Sequence, residues 1–117
     1  MEKQQKILIV RGTFDENKLR SLQKFEGCIL ATGEVILKEE AVIPCTFIAT
    51  DILKANKLTV KGTLICEGKC KVDNLNVEGD LSIVQKSTEI KKLTLGGALL
   101  SDRDKVLCNL LKSEVEV

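Results

Sequence analysis

Residues 57–66 read KLTVKGTLIC, and the phrase returns as NLNVEGDLSI from Asn74 and as KLTLGGALLS from Lys92. Placing Gly62 over Gly79 and Gly97 sets steps of 17 and 18 residues. The neighbours keep the same register. Leu58, Leu75 and Leu93 form one column, Val60, Val77 and Leu95 a second, and Leu64, Leu81 and Leu99 a third. Ala55, Val72 and Ile90 each sit three residues before the next leucine.

The register extends backwards. Ala41, Ile43, Cys45, Phe47 and Ala49 fall into the same columns, and a further step of 18 reaches Phe25, Gly27, Ile29 and Ala31, then Val35 and Leu37 after a gap. A shorter step of 15 reaches Val10, Gly12 and Phe14 in a weaker first copy. The small-residue column is then Gly12, Gly27, Cys45, Gly62, Gly79 and Gly97, making about six copies.

Each copy alternates apolar and polar residues with period 2, the pattern of a half-buried strand. A strand every 17 or 18 residues leaves no room for a βαβ unit, which needs roughly 30 residues. Leucine-rich repeats run at about 20 to 29 and carry an Asn or Cys position missing here. An antiparallel β-sandwich has no reason to keep column identity at fixed offsets. The pattern predicts an all-β, single-stranded parallel β-helix (solenoid) of one domain over residues 1–117, with core coils over 25–101 and an irregular first coil over 1–24. Coils stacked about 4.8 Å apart make a rod on the order of 30 Å long. The glycine column is expected inward, at a bend where a missing Cβ permits close packing or positive φ.

The ends are less regular. DENKLRSLQKF (residues 15–25) reads as a short helix or turn within the first copy. At the other end, Ser101 or Asp102 can cap a helix whose apolar face would be Val106, Leu107, Leu110 and Leu111. Residues 102–117 also read as a further irregular coil closing on the alternating strand SEVEV. A cap would block that end and a coil would leave it open.

Composition narrows the chemistry. The 117 residues hold 44% apolar and 30% charged side chains, with 18 Lys plus Arg against 17 Asp plus Glu. That balance gives no basic footprint for nucleic acid, and three Phe are the only aromatics, too few for base-stacking platforms. No histidine is present, which removes the commonest general base and the usual Ser-His and Cys-His pairs. No P-loop or GxGxxG occurs. Glu39-Glu40 and Glu114 with Glu116 fall at a turn or tail and read as solvated charge. Five cysteines form no CxxC, so no metal site is expected and reduced cysteines should pack as small apolar residues. No 18-residue apolar run and no secretory signal appears, so a cytoplasmic location is expected. Neither an enzyme nor a cofactor is expected.

Residues 53–83, LKANKLTVKGTLICEGKCKVDNLNVEGDLSI, resemble the bactofilins, small bacterial cytoskeletal proteins whose right-handed β-helix repeats a V-x-G-x-[LI] phrase. Here the phrase is Val60-Lys61-Gly62-Thr63-Leu64 and Val77-Glu78-Gly79-Asp80-Leu81, with Leu95-Gly96-Gly97-Ala98-Leu99 as a looser copy. The likeness spans roughly residues 25–101. It implies a non-enzymatic scaffold that polymerises end to end without nucleotide, at the inner face of the membrane, with cell-wall or motility proteins as partners. Exposed terminal coils offer strand edges and apolar core to a second copy. The expected contacts are Ile7, Ile9, Val10 and Phe14 at one end, and Leu99, Val106, Leu107, Leu110 and Leu111 at the other. A different reading is a monomeric or dimeric adaptor using a polar sheet face, with Lys57, Thr59, Lys61 and Thr63 beneath Asn74, Asn76, Glu78 and Asp80.

Overall fold

The structure, a computed structural model, describes residues 6–84, 88–101 and 114–116. The chain begins with β1 (Ile7–Val10), α1 (Glu16–Arg20), β2 (Cys28–Ala31), β3 (Val35–Leu37) and β4 (Ala41–Ile43). It continues through β5 (Thr46–Ala49), β6 (Leu53–Val60), β7 (Leu64–Cys66) and β8 (Cys70–Val77). The last strands are β9 (Leu81–Ile83), β10 (Glu89–Leu95), β11 (Leu99–Ser101) and β12 (Glu114–Glu116).

These strands build two sheets. The first runs β1-β2-β5-β7-β9-β11, and the second runs β12-β10-β8-β6-β3, with β4 also paired to β6. Every pairing between them is parallel. Consecutive turns of the chain therefore stack, and the fold is a β-solenoid whose first sheet has six rungs and so five turns. An antiparallel sandwich is excluded. The columns of the repeat appear in the ladders as Ile29↔Phe47, Phe47↔Leu64, Leu64↔Leu81 and Leu81↔Leu99.

A break in the alternation bends the second sheet. In β6, Leu53, Ala55, Leu58 and Val60 are buried, while Asn56 and Lys57 are both exposed in succession. The same double step occurs at Asp73-Asn74 and Lys91-Lys92, where the described ladders also skip a pair. Two consecutive outward residues reverse the inward phase, so the strand turns a corner and its two halves form different walls. The three-residue spacing from Ala55 to Leu58 is the cause. Exposed groups stitch this corner from coil to coil: Asn56 Nδ2 donates to Lys38 O at 2.6 Å, and Lys91 lies 3.5 Å from Asp73.

The corner entering the first sheet carries the glycines. Gly79 N–H donates to Gly62 O at 3.0 Å and Gly97 N–H to Gly79 O at 2.9 Å. A Cβ on Gly79 would lie 2.8 Å from Gly62 O, closer than van der Waals contact allows. At Gly62, Gly79 and Gly97 close approach between coils requires glycine, and Gly27 in the same column has a positive φ of 134° as well. Beside this column, Thr46 Oγ1 accepts from Thr63 N, Thr63 Oγ1 from Asp80 N, and Asp80 Oδ1 from Ala98 N.

The first coil departs from the expected register. β1 pairs Leu8 with Ile29 and Val10 with Ala31, and Phe14 bridges Val35. The step is thus 21 residues and not 15. Gly12 belongs to a different corner: it has φ +78° and stacks under Gly33, so it is not in the column of Gly27 and Gly62. The extra residues follow from chain left over for α1, which must be accommodated before β2 begins. The strand reading of the C-terminus is seen over Glu114–Glu116, where β12 joins β10 through Leu93↔Val115. The alternative cap helix and its residues Val106, Leu107, Leu110 and Leu111 lie outside the described residues.

Candidate self-assembly surfaces

The N-terminal end is half closed. Asp15 accepts a hydrogen bond from Lys18 N at 3.1 Å and so caps α1, with Glu16 in the first turn and Lys18 and Arg20 in the last. The helix and the turn that follows it are fastened to the second sheet by one side chain each. Glu16 Oε1 accepts from the backbone N–H groups of Lys38 and Glu39, and Gln23 Nε2 donates to Val42 O at 3.1 Å. The bonds from Lys38 N–H and Glu16's own N–H, with a weaker one from Glu39 N–H, hold the Glu16 carboxyl below its ordinary range, against the opposing effects of desolvation and the Asp15 charge.

Beneath the cap lies Phe14, fully buried and edge-on to Phe47 with ring centroids 5.2 Å apart. Phe14 N–H donates to Glu34 O, and Phe14 O accepts from Ile36 N–H. This corrects the expectation that Phe14 is a contact surface. It is the lowest rung of the core, and Leu19, Leu22 and Phe25 pack over the same cluster. Its ring fills the cylinder from below, so no second copy is needed to cover it.

The other half of that end is open. Cys28 N–H donates to Lys6 O and Thr32 N–H to Val10 O, so the even-numbered backbone groups of β1 face β2. Those of Ile7 and Ile9 therefore face the free edge. Among the described residues β1 has no second strand neighbour. Val10 packs partly buried against the core, while Ile7 is 67% and Ile9 50% exposed. At the far end β11 is likewise the last rung of the first sheet, with Leu99 packed on the core and Leu100 exposed.

Sequence reasoning missed one surface. The outward positions of the first sheet align as Ile9↔Leu30↔Ile48↔Ile65↔Ser82↔Leu100. Five of these six are large apolar residues. The clue was available in CILA, TFIA and LIC, where consecutive apolar residues replace strict alternation. The outer side of the second sheet is different. Lys54, Lys71 and Glu89 mark one wall, and Lys57 pairs with Glu40 at 3.4 Å on the other, both largely exposed. Of the expected polar adaptor face, Lys57↔Asn74 and Thr59↔Asn76 stack in register and line a shallow open groove, while Lys61, Thr63, Glu78 and Asp80 fall past the strand ends at the glycine corner.

Little reactive chemistry sits on these surfaces. The thiols of Cys28, Cys45, Cys66 and Cys70 are free and buried. The hydrogen bond with Cys70, then burial, holds the Cys66 thiol well above its usual value, so it packs as a neutral apolar group. Among the described residues no group of His, Cys, Asp or Glu is arranged to hold a metal, and no helix is long and apolar enough to cross a membrane. No family model matches the chain, and no curated protein or solved structure matches it either.

Proposed function

We propose that the protein is a non-enzymatic, bactofilin-like scaffold subunit that joins end to end into polymers without nucleotide. The observation that carries this reading is the first sheet, which stops at both ends on strands with no outer partner among the described residues. An open edge with unpaired N–H and C=O groups is a template for another strand. At the N-terminal end only β1 serves, because α1 covers the neighbouring walls. Like-to-like contact, β1 against β1 across a two-fold axis, then keeps each α1 beside its counterpart and needs no strand to pair with a helix. Alternating such contacts at the two ends builds a non-polar filament. The polymer's place is the cytoplasm, at the inner membrane face, where it would hold cell-wall or motility proteins.

Light scattering and negative-stain microscopy across concentration and salt test this directly. Filaments are expected without added nucleotide. Ile9→Pro should prevent them, because it deletes an N–H on the free edge while leaving the bonds to β2 intact. Its circular dichroism should be unchanged. A wild-type protein that stays monomeric in every condition, or a folded Ile9→Pro that assembles as before, would reject the reading.

A further inference from the structure

End-to-end contact leaves the outer face of the first sheet unused. That face presents Ile9, Leu30, Ile48, Ile65 and Leu100 in line, interrupted by Ser82, over six rungs. Inside the row Leu30, Ile48 and Ile65 are half-buried by their column neighbours; Leu100, beside the small Ser82 on the last rung among the described residues, is 52% exposed. None of the outward strand positions here, which also include Ile7, Cys28 and Thr46, is ionisable at neutral pH. We propose that this face docks a second copy of the chain side by side, first sheet against first sheet.

Three observations select that occupant. The first is charge. No outward strand position of this sheet is charged, so pairing it with a copy buries no charge, whereas pairing the second sheet would have to desolvate the stacked Lys54, Lys71 and Glu89. The second is pitch. The apolar side chains recur at the rung spacing of about 4.8 Å, and only a surface with the same repeat interdigitates along the whole row. A two-fold axis between the third and fourth rungs sets Ile48 of one copy against Ile65 of the other. A lipid surface fits less well, since interfacial binding draws on basic and aromatic residues and this face has neither.

The third is area. Six rungs give a stripe roughly 24 Å long and about 10 Å wide, a few hundred Å² against the roughly 800 Å² per partner of a stable complex. Free subunits should therefore pair weakly. Copies already held in a row would present many such stripes at once and pair far more strongly. That strengthening rests on the end-to-end reading; the contact itself does not.

The test is cross-linking in a Cys108→Ser background, the other native thiols being buried. Ile48→Cys and Ile65→Cys, alone and mixed, are treated with a short bis-maleimide, which spans thiols on sheets packed about 10 Å apart and adds one thiol across each of its two double bonds with no leaving group. Thr59→Cys on the second sheet is the control. Covalent dimers several-fold more abundant for the first two variants than for the control are expected, and Ile65→Lys added to Ile48→Cys should remove them. Equal yields, or no dimer from Ile48→Cys and Ile65→Cys, overturn the proposal. Scattering on the same samples separates the two ideas: cross-links without filaments leave the side-by-side contact standing alone, and filaments without cross-links leave only the end-to-end one.

Discussion

The two sheets are wound from the same laps of chain, yet they meet their surroundings differently. The second sheet is finished at its N-terminal end by Phe14 and α1 and carries charged residues outside. The first sheet ends on β1, which has no outer strand neighbour among the described residues, with an apolar row outside. An inward pattern shared by both produces the fold. The outward pattern and the finish of each end are free to vary, and in them lies whatever the protein recognises.

The comparison breaks most severely at Phe14. If that ring closes the second sheet, Phe14→Ala should cost about 3–5 kcal/mol in urea unfolding, as a large side chain lost from a packed core does. A loss below about 1 kcal/mol would show that the end is not closed by it. Gly79 tests the stacking common to both sheets. Gly79→Ala must push the Gly62 carbonyl away and should cost about 1–3 kcal/mol, read from the same unfolding curves.

The smallest effect concerns the fastening of α1. Because Glu16 has a lowered pKa in the folded state, its contribution is present above the ordinary carboxylate pKa of 4.5 and is lost as pH falls through the lower folded value. Amide shifts of Lys38 and Glu39 in wild type should therefore move only at acid pH below 4.5. In Glu16→Gln that movement should be absent, and its persistence would assign the acid transition elsewhere.

Much of this was legible in advance because a solenoid writes its spatial neighbours into its period. The columns of Leu58, Leu75 and Leu93 became ladder partners, and the three-residue spacing at Ala55, Val72 and Ile90 became a corner. The first coil was misaligned for a physical reason. Two glycines, Gly12 and Gly27, both suit a bend, and sequence similarity cannot tell one corner from another when a helix intervenes. Phe14 was consequently assigned to a surface when it is core. The row through Leu30, Ile48 and Ile65 escaped because short buried strands also read as apolar runs. Only coordinates separate the inward member from the outward one.

The stacked glycine corner has a consequence for how such a molecule can change in length. Each lap touches chiefly the lap before and the lap after, through the same columns, so one lap is a nearly interchangeable module. Duplicating residues 62–78 would insert another copy of an existing rung and lengthen the rod by about 4.8 Å without altering either end. Inserting a single residue in the same place would throw every later column out of phase. Growth by whole laps is cheap and growth by residues is not, which makes the chain a ruler graduated in turns.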